Sequence, residues 1–226
     1  VHTRTDGGYA DRNVNHSDPG AGQAGRQYFA MAGTADIGDW AARTKSRYHG
    51  LQVALNRPFR NGLLLKGAYT LSRAENETDE DGWTSLPWHH PAVLHRNYAP
   101  ATYDRTHVLQ LGFSRELPFA RGSRSVLGRL VQGWQVGGLV SAYSGTPFSI
   151  TASNPQLNCP GCGPVVVDVV GDPEPTGTAG SSTETWYDKS LFSQPTGATL
   201  AGFGNSARNQ FRGPGAWNVD LSVVRV

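Results

Sequence analysis

The chain has 226 residues, a formal net charge of +2 and 17% charged residues, so charge supplies no footprint for nucleic-acid binding. Gly at 28 residues and Pro at 14 suit turns and extended segments rather than long helices. A membrane-spanning helix needs about 20 consecutive apolar residues, and no such run is present.

In chain order, residues 1–47 are mostly Gly, Asp, Asn, Ser and Arg with little periodicity. They are expected to form a loop, with a short ordered piece near 28–31. The first strand is expected over 48–57, with Leu51, Val53 and Leu55 on one face and Gln52, Ala54 and Asn56 on the other. A tight connection follows, where Asn61-Gly62 supplies the positive φ of a hairpin turn. The second strand, over 62–72, puts Leu63, Leu65, Tyr69 and Leu71 opposite Lys66, Ala68, Thr70 and Ser72. A polar loop over 73–104 leads to a third strand at 105–116, with Leu109, Leu111 and Phe113 on one face. A short basic connection around 121–129 precedes the fourth strand at 133–145, where Trp134, Val136, Val140 and Ala142 oppose Gln135, Gly137 and Ser141. The end of that strand is expected to bend into a short continuation reaching Thr151. The longest loop, 146–216, carries a small apolar run at 165–170. The last strand, 217–226, alternates Trp217, Val219, Leu221 and Val223 with Asn218, Asp220 and Ser222.

Five strands of about ten residues, with short turns on one side and long loops on the other, are the pattern of an outer-membrane β-barrel wall. The expected fold class is all-β: an antiparallel transmembrane β-barrel fragment with short periplasmic turns and long extracellular loops. Rings near strand ends (Tyr48, Tyr69, Phe113, Trp134, Tyr143, Phe148 and Trp217) fit an interfacial aromatic girdle. A secreted all-β sandwich with adhesive loops and no transport role would alternate in the same way. The apolar face separates the two: a sandwich buries Leu51, Val53, Leu109, Leu111, Val219 and Leu221, whereas a barrel turns them to lipid. The chain begins at Val1, its single Met is Met31, and Val226 falls inside an alternating run, so a piece of a longer protein is expected.

The residues resemble a family. Tyr48-His49-Gly50-Leu51-Gln52-Val53-Ala54-Leu55 is similar to a strand of TonB-dependent outer-membrane receptors, of the Oar-like, acidobacterial type. Gly67-Ala68-Tyr69-Thr70-Leu71-Ser72, Tyr103-Asp104-Arg105-Thr106-His107 and Glu116-Leu117-Pro118-Phe119 resemble further segments in the same order. So do Gly133-Trp134-Gln135-Val136, Ser144-Gly145-Thr146-Pro147-Phe148 and the terminal Trp217-Asn218-Val219-Asp220-Leu221. Gly204-Asn205-Ser206-Ala207-Arg208-Asn209, followed by Arg212-Gly213-Pro214-Gly215, resembles the motif G-N-x-x-R-N-x-x-R-G-P-G. The resemblance implies a C-terminal piece of a large barrel of about 22 strands with a plugged lumen. It implies uptake of a ligand, or passage of cargo, across the outer membrane of a Gram-negative bacterium. The partners implied are outer-membrane lipid, an unidentified extracellular ligand, and the TonB system acting through a plug that these residues lack. On this reading 1–47 is an N-terminal loop segment on the extracellular side, and 48–226 a partial barrel with long loops at 73–104 and 146–216.

Catalytic signatures are absent: there is no Gly-x-Ser-x-Gly, no His-Glu-x-x-His and no phosphate-cradling glycine loop. No enzyme activity, cofactor or metal is expected. Cys159 and Cys162 are expected to form a loop disulfide, as suits an oxidising compartment. Zinc would need two more ligands, for which His89, His90 and His95 are the nearest in type. Glu77-x-Asp79-x-Asp81-Gly82 has the opening of a calcium loop, but Trp88 stands where the closing Glu belongs, so a solvated acidic loop is expected. Asp104 and His107 are expected to make rim hydrogen bonds where the loop enters the strand. Trp83, Trp88, His89 and His90 are the candidate ligand-facing loop residues, because loops positioned by a scaffold carry function.

Overall fold

The computed structural model describes residues 1–80, 83–119, 125–127, 132–178, 180–181 and 183–225. Asp81 and Gly82 of the acidic run, most of the basic connection 121–129, and Val226 lie outside the described residues.

Six long strands form one antiparallel sheet: β1 (His2–Asn13), β2 (Gly38–Arg60), β3 (Leu63–Asn76), β4 (His107–Glu116), β5 (Trp134–Tyr143) and β6 (Ala216–Arg225). Each pairs with its neighbours in sequence, so the sheet is a simple meander, and β1 and β6 are its edges. The sheet does not close on itself. The β2–β3 turn is made by Asn61 (φ 55°) and Gly62 (φ 71°), both in the left-handed region that a two-residue hairpin requires.

Register separates the faces. Leu55, Gly67, Leu111, Val140 and Val219 stand in one row across β2–β6. Val53, Tyr69, Leu109, Ala142 and Trp217 form the row above it. The opposite face carries Asn56, Lys66, Gln110, Ser141 and Asp220 on the same strands, and the sheet curls around a hollow on that polar side. The apolar face is therefore the convex one. Leu51 (60% exposed), Val53 (55%) and Leu221 (70%) are open to the surroundings. Among the described residues no second sheet covers them, so the sandwich expectation fails.

Two expectations are corrected. The segment 1–47 is not a loop throughout: 2–13 is β1, and 38–47 is the upper half of a 23-residue β2, giving six long strands where five were expected. Both stretches are polar on both faces because they project beyond the apolar belt, so no alternation marks them. The residues near 28–31 do form a single helical turn, Phe29–Ala32. The second correction concerns the aromatic girdle. By register, Tyr69, Phe113, Trp134 and Trp217 lie on the apolar face, but Tyr48 and Tyr143 belong to the polar one. Phe148 sits in a short strand, Pro147–Phe148, that pairs with Phe211–Arg212 in the loops rather than extending β5.

The packed hydrophobic cores lie outside the sheet. One gathers Trp88, Val93, Leu157, Cys162, Val166 and Phe203. The other gathers Val167, Tyr187 and Phe211 against Ile150, Val169, Trp186 and Phe192. The apolar run at 165–170 supplies residues to both. The loops thus form a folded cap, which is where a functional site can be held rigidly.

Candidate functional site: the loop cap

The antiparallel meander brings three connections to one end of the sheet: 14–37, 77–106 and 144–215. Loops of this length remain ordered only if their backbone groups find partners, and the cap satisfies them through a few buried polar side chains.

Arg208 is the central latch. Its guanidinium donates to the carbonyls of Asn76 (3.0 Å) and Asn97 (2.7 Å), to the Asn76 side chain (3.2 Å) and to Asp79 (3.1 Å). The side chain is 7% exposed, so these bonds form away from water. Asp79 also accepts from the Thr102 backbone N–H at 3.0 Å and from Asn76 at 3.1 Å. Burial alone would raise its pKa; these hydrogen bonds and the Arg208 charge outweigh it and hold the carboxyl below its ordinary value. Arg212 pairs with Asp104, whose other oxygen accepts the Ala74 N–H at 2.6 Å, and also donates to the Gly145 carbonyl at 3.2 Å. Asn205 clamps Val169 from both sides, accepting its N–H (2.7 Å) and donating to its carbonyl (3.0 Å). A Cβ at Gly204 would stand 1.9 Å from the Val166 carbonyl oxygen, and Gly204 has φ +81°, so glycine is required there twice over. The G-N-x-x-R-N-x-x-R-G-P-G motif is thereby explained as a latch that ties the 144–215 loop to the end of β3 and to the 77–106 loop.

The disulfide turn is the second hub. Cys159 and Cys162 are bonded, with a Cα–Cα distance of 5.6 Å. The Cys162 carbonyl accepts from His89 N–H (2.8 Å) and the Pro160 carbonyl from Ser17 N–H (3.0 Å). All three loops therefore meet at this turn. The bonded sulfurs have no thiolate to offer zinc. Asn13, Asn15 and Arg26 close the first loop on itself: Arg26 donates to the Asn15 carbonyl (2.8 Å) and pairs with Asp36 at 2.7 Å.

The four candidate ligand-facing residues separate. Trp88 is 1% exposed and donates from its indole nitrogen to the Pro164 carbonyl at 3.0 Å, so it is a core residue and the expectation that it faces ligand is corrected. His90 is 8% exposed; its Nδ1 accepts from Ala92 N–H at 3.2 Å, which leaves Nε2 to donate to Asp18 at 3.2 Å. His89 is half-buried and accepts the Asn13 N–H at 3.2 Å. Burial pushes the pKa values of His89 and His16 down; the neighbouring Arg12 acts in the same direction, and the His16 and His90 rings lie 5.1 Å apart. Only Trp83, 93% exposed, is free to meet a ligand, and it lies edge-on to the exposed Trp40 at 5.4 Å. Trp40, in the upper half of β2, is not among the sequence candidates; it is 43 residues from Trp83 in the chain, and only the fold brings the two rings together.

Of the carboxylates in the acidic run, Asp79 is taken by Arg208, and Glu77 accepts the Lys45 N–H at 2.8 Å. Among the described residues no group of three His, Cys, Asp or Glu side chains converges on a metal site. His107 turns to the apolar face, where its Nδ1 meets the Tyr69 hydroxyl at 2.8 Å, while Asp104 is buried beneath the latch. The described residues present a cap tied by buried polar contacts, a polar concave wall beneath it, and an exposed indole pair.

Compared with known proteins, residues 2–226 match the family model of an outer membrane beta barrel domain. No curated protein and no solved structure matches the chain.

Proposed function

The chain belongs to the outer membrane beta barrel domain family, and from that premise we propose that it forms part of the wall of a TonB-dependent, Oar-like receptor whose outer loops capture a ligand. Its place is the outer membrane of a Gram-negative bacterium, with the convex apolar face toward lipid and the polar concave face toward the lumen. The role is binding and passage rather than catalysis. The observation that supports this reading is the cap. More than half of the chain lies in three loops tied together by the buried Arg208, the half-buried Arg212 and a disulfide. A passive wall would gain little from ordering so much backbone at about 1–2 kcal/mol per residue. A capture surface gains preorganisation. In the parent protein, ligand held by the cap passes a plug that the TonB system displaces.

The test is uptake in cells. The gene is deleted, and depletion of oligosaccharides, peptides and iron chelates from the medium is compared with that in a strain lacking the inner-membrane energising protein. Loss of the same compound class in both strains supports the proposal. A class lost on gene deletion but retained without the energising protein would leave a barrel without TonB coupling.

A further inference from the structure

The apolar face ends differently at its two borders. At the cap side, rows His2–His49–Arg73 and Arg4–Arg47–Glu75 mix cations with carboxylates. Arg4 pairs with Asp6 at 2.6 Å and Arg73 with Glu75 at 2.6 Å, so much of that charge is spent locally. At the turn side no carboxylate intervenes on this face among the described residues. Arg60 and Arg115 both stand opposite Leu63 in register, one on each side, and Arg57 stands opposite Leu65. The three arginines therefore lie on the apolar face of β2 and β4, to either side of β3: Arg57 in the row of Leu65 and Phe113, and Arg60 and Arg115 in the row of Leu63 below it. All three are exposed, and none makes an ion pair among the described residues. Arg115 donates to the Asn61 carbonyl at 3.2 Å, which orients its guanidinium across the hairpin turn. The nearest acid in sequence, Glu116, belongs to the opposite face. Phe59, 50% exposed, adds an apolar surface in the same turn.

We propose that Arg57, Arg60 and Arg115 form a binding site for the phosphate of an anionic phospholipid in the periplasmic leaflet. Continuity with the lipid-facing belt places the guanidinium groups at headgroup depth while their aliphatic stems run along Leu63 and Leu65. Guanidinium forks match phosphate oxygens bidentately, and three uncompensated charges favour an anionic over a zwitterionic lipid. The acyl chains of the same lipid would lie against Leu65, Phe113 and Leu221.

The experiment is native mass spectrometry of the full chain in detergent micelles doped with phosphatidylglycerol or phosphatidylcholine. At least tenfold greater retention of phosphatidylglycerol is expected. The variant R57Q/R60Q/R115Q should lose that preference, and R57K/R60K/R115K should keep only part of it. The cap-side variant R4Q/R47Q/R73Q should match the parent chain. Single Arg→Gln variants, with strand content checked by circular dichroism, should lose retention in graded steps; they decide the matter if the triple variant does not fold. Equal retention of both lipids, no change in the Gln variants, or complete displacement of the lipid by millimolar inorganic phosphate would overturn the proposal. The last result would mark a free-phosphate site instead.

Discussion

Arg208 satisfies two backbone carbonyls, one amide and one carboxylate from a position 6% exposed. Removing a partner from such a network leaves the others buried and unpaired. Arg208→Ala should cost the cap about 3 kcal/mol, the low end for a broken buried pair because Asp79 keeps some contact with water. Limited proteolysis checks this: cleavage within 77–106 and 144–215 should appear in the variant under conditions that leave the parent chain intact. His16 and His89 supply a second prediction. Their pKa values in the folded cap lie below the ordinary 6.5. Above pH 6.5 they are neutral whether the cap is folded or open, so they cost nothing there. As pH falls below 6.5 the open state takes up protons that the folded cap resists, and stability is lost. Amide-exchange protection factors in the cap, corrected for the pH dependence of intrinsic exchange, should therefore fall between pH 7.5 and 5.5, and His16→Gln with His89→Gln should flatten that dependence. An unchanged profile in the double variant would remove these histidines from the account.

At the scale of the strand, one register decides which substitutions are tolerated. Val219 and Ser141 lie on adjacent strands, yet Val219 belongs to the convex apolar face and Ser141 to the hollow. Val219→Lys, placed in the middle row of the belt, should cost about 2–4 kcal/mol in refolding from urea into lipid vesicles. Ser141→Lys on the polar face should change stability by no more than about 0.5 kcal/mol. Similar penalties at both sites would mean that the two faces meet the same medium. A Cβ at Gly67 in the middle row would meet the Leu111 side chain at 3.2 Å, close enough that the leucine would have to shift by a few tenths of an ångström.

For the whole molecule, the two outermost strands of the open sheet, β1 and β6, dominate its behaviour. The cap end of β1 is partly covered, where Asp11 exchanges backbone hydrogen bonds with Thr84 (2.8 Å) and Leu86 (2.9 Å). Exposed edges and an apolar convex face drive association in water, and open edges are costly in lipid. Circular dichroism of the chain in plain buffer and in detergent micelles tests this directly. A strand signal with a cooperative melt is expected in micelles, and aggregation in buffer. A monomer that melts cooperatively in buffer alone would contradict a lipid-facing convex surface.

The period-two alternation of Leu51–Val53–Leu55, Leu109–Leu111–Phe113 and Val219–Leu221–Val223 determined by itself that the chain is a sheet with one apolar face. Asn61-Gly62 likewise determined the β2–β3 hairpin, because its positive φ values are a local property. What lies beyond the belt was not legible in the same way. In β1 and the upper half of β2 both faces are polar, so strand pairing there leaves no trace in the order of residues. The cap was decided only by tertiary structure. Trp88 and Trp83 are five residues apart and equally aromatic, yet one is packed under Phe203 and the other stands in solvent. Arg208 and Asn76 are 132 residues apart in the chain. Local propensity carries no information about contacts at that separation, and only the meander, by returning each loop to one end of the sheet, brings them within hydrogen-bonding distance.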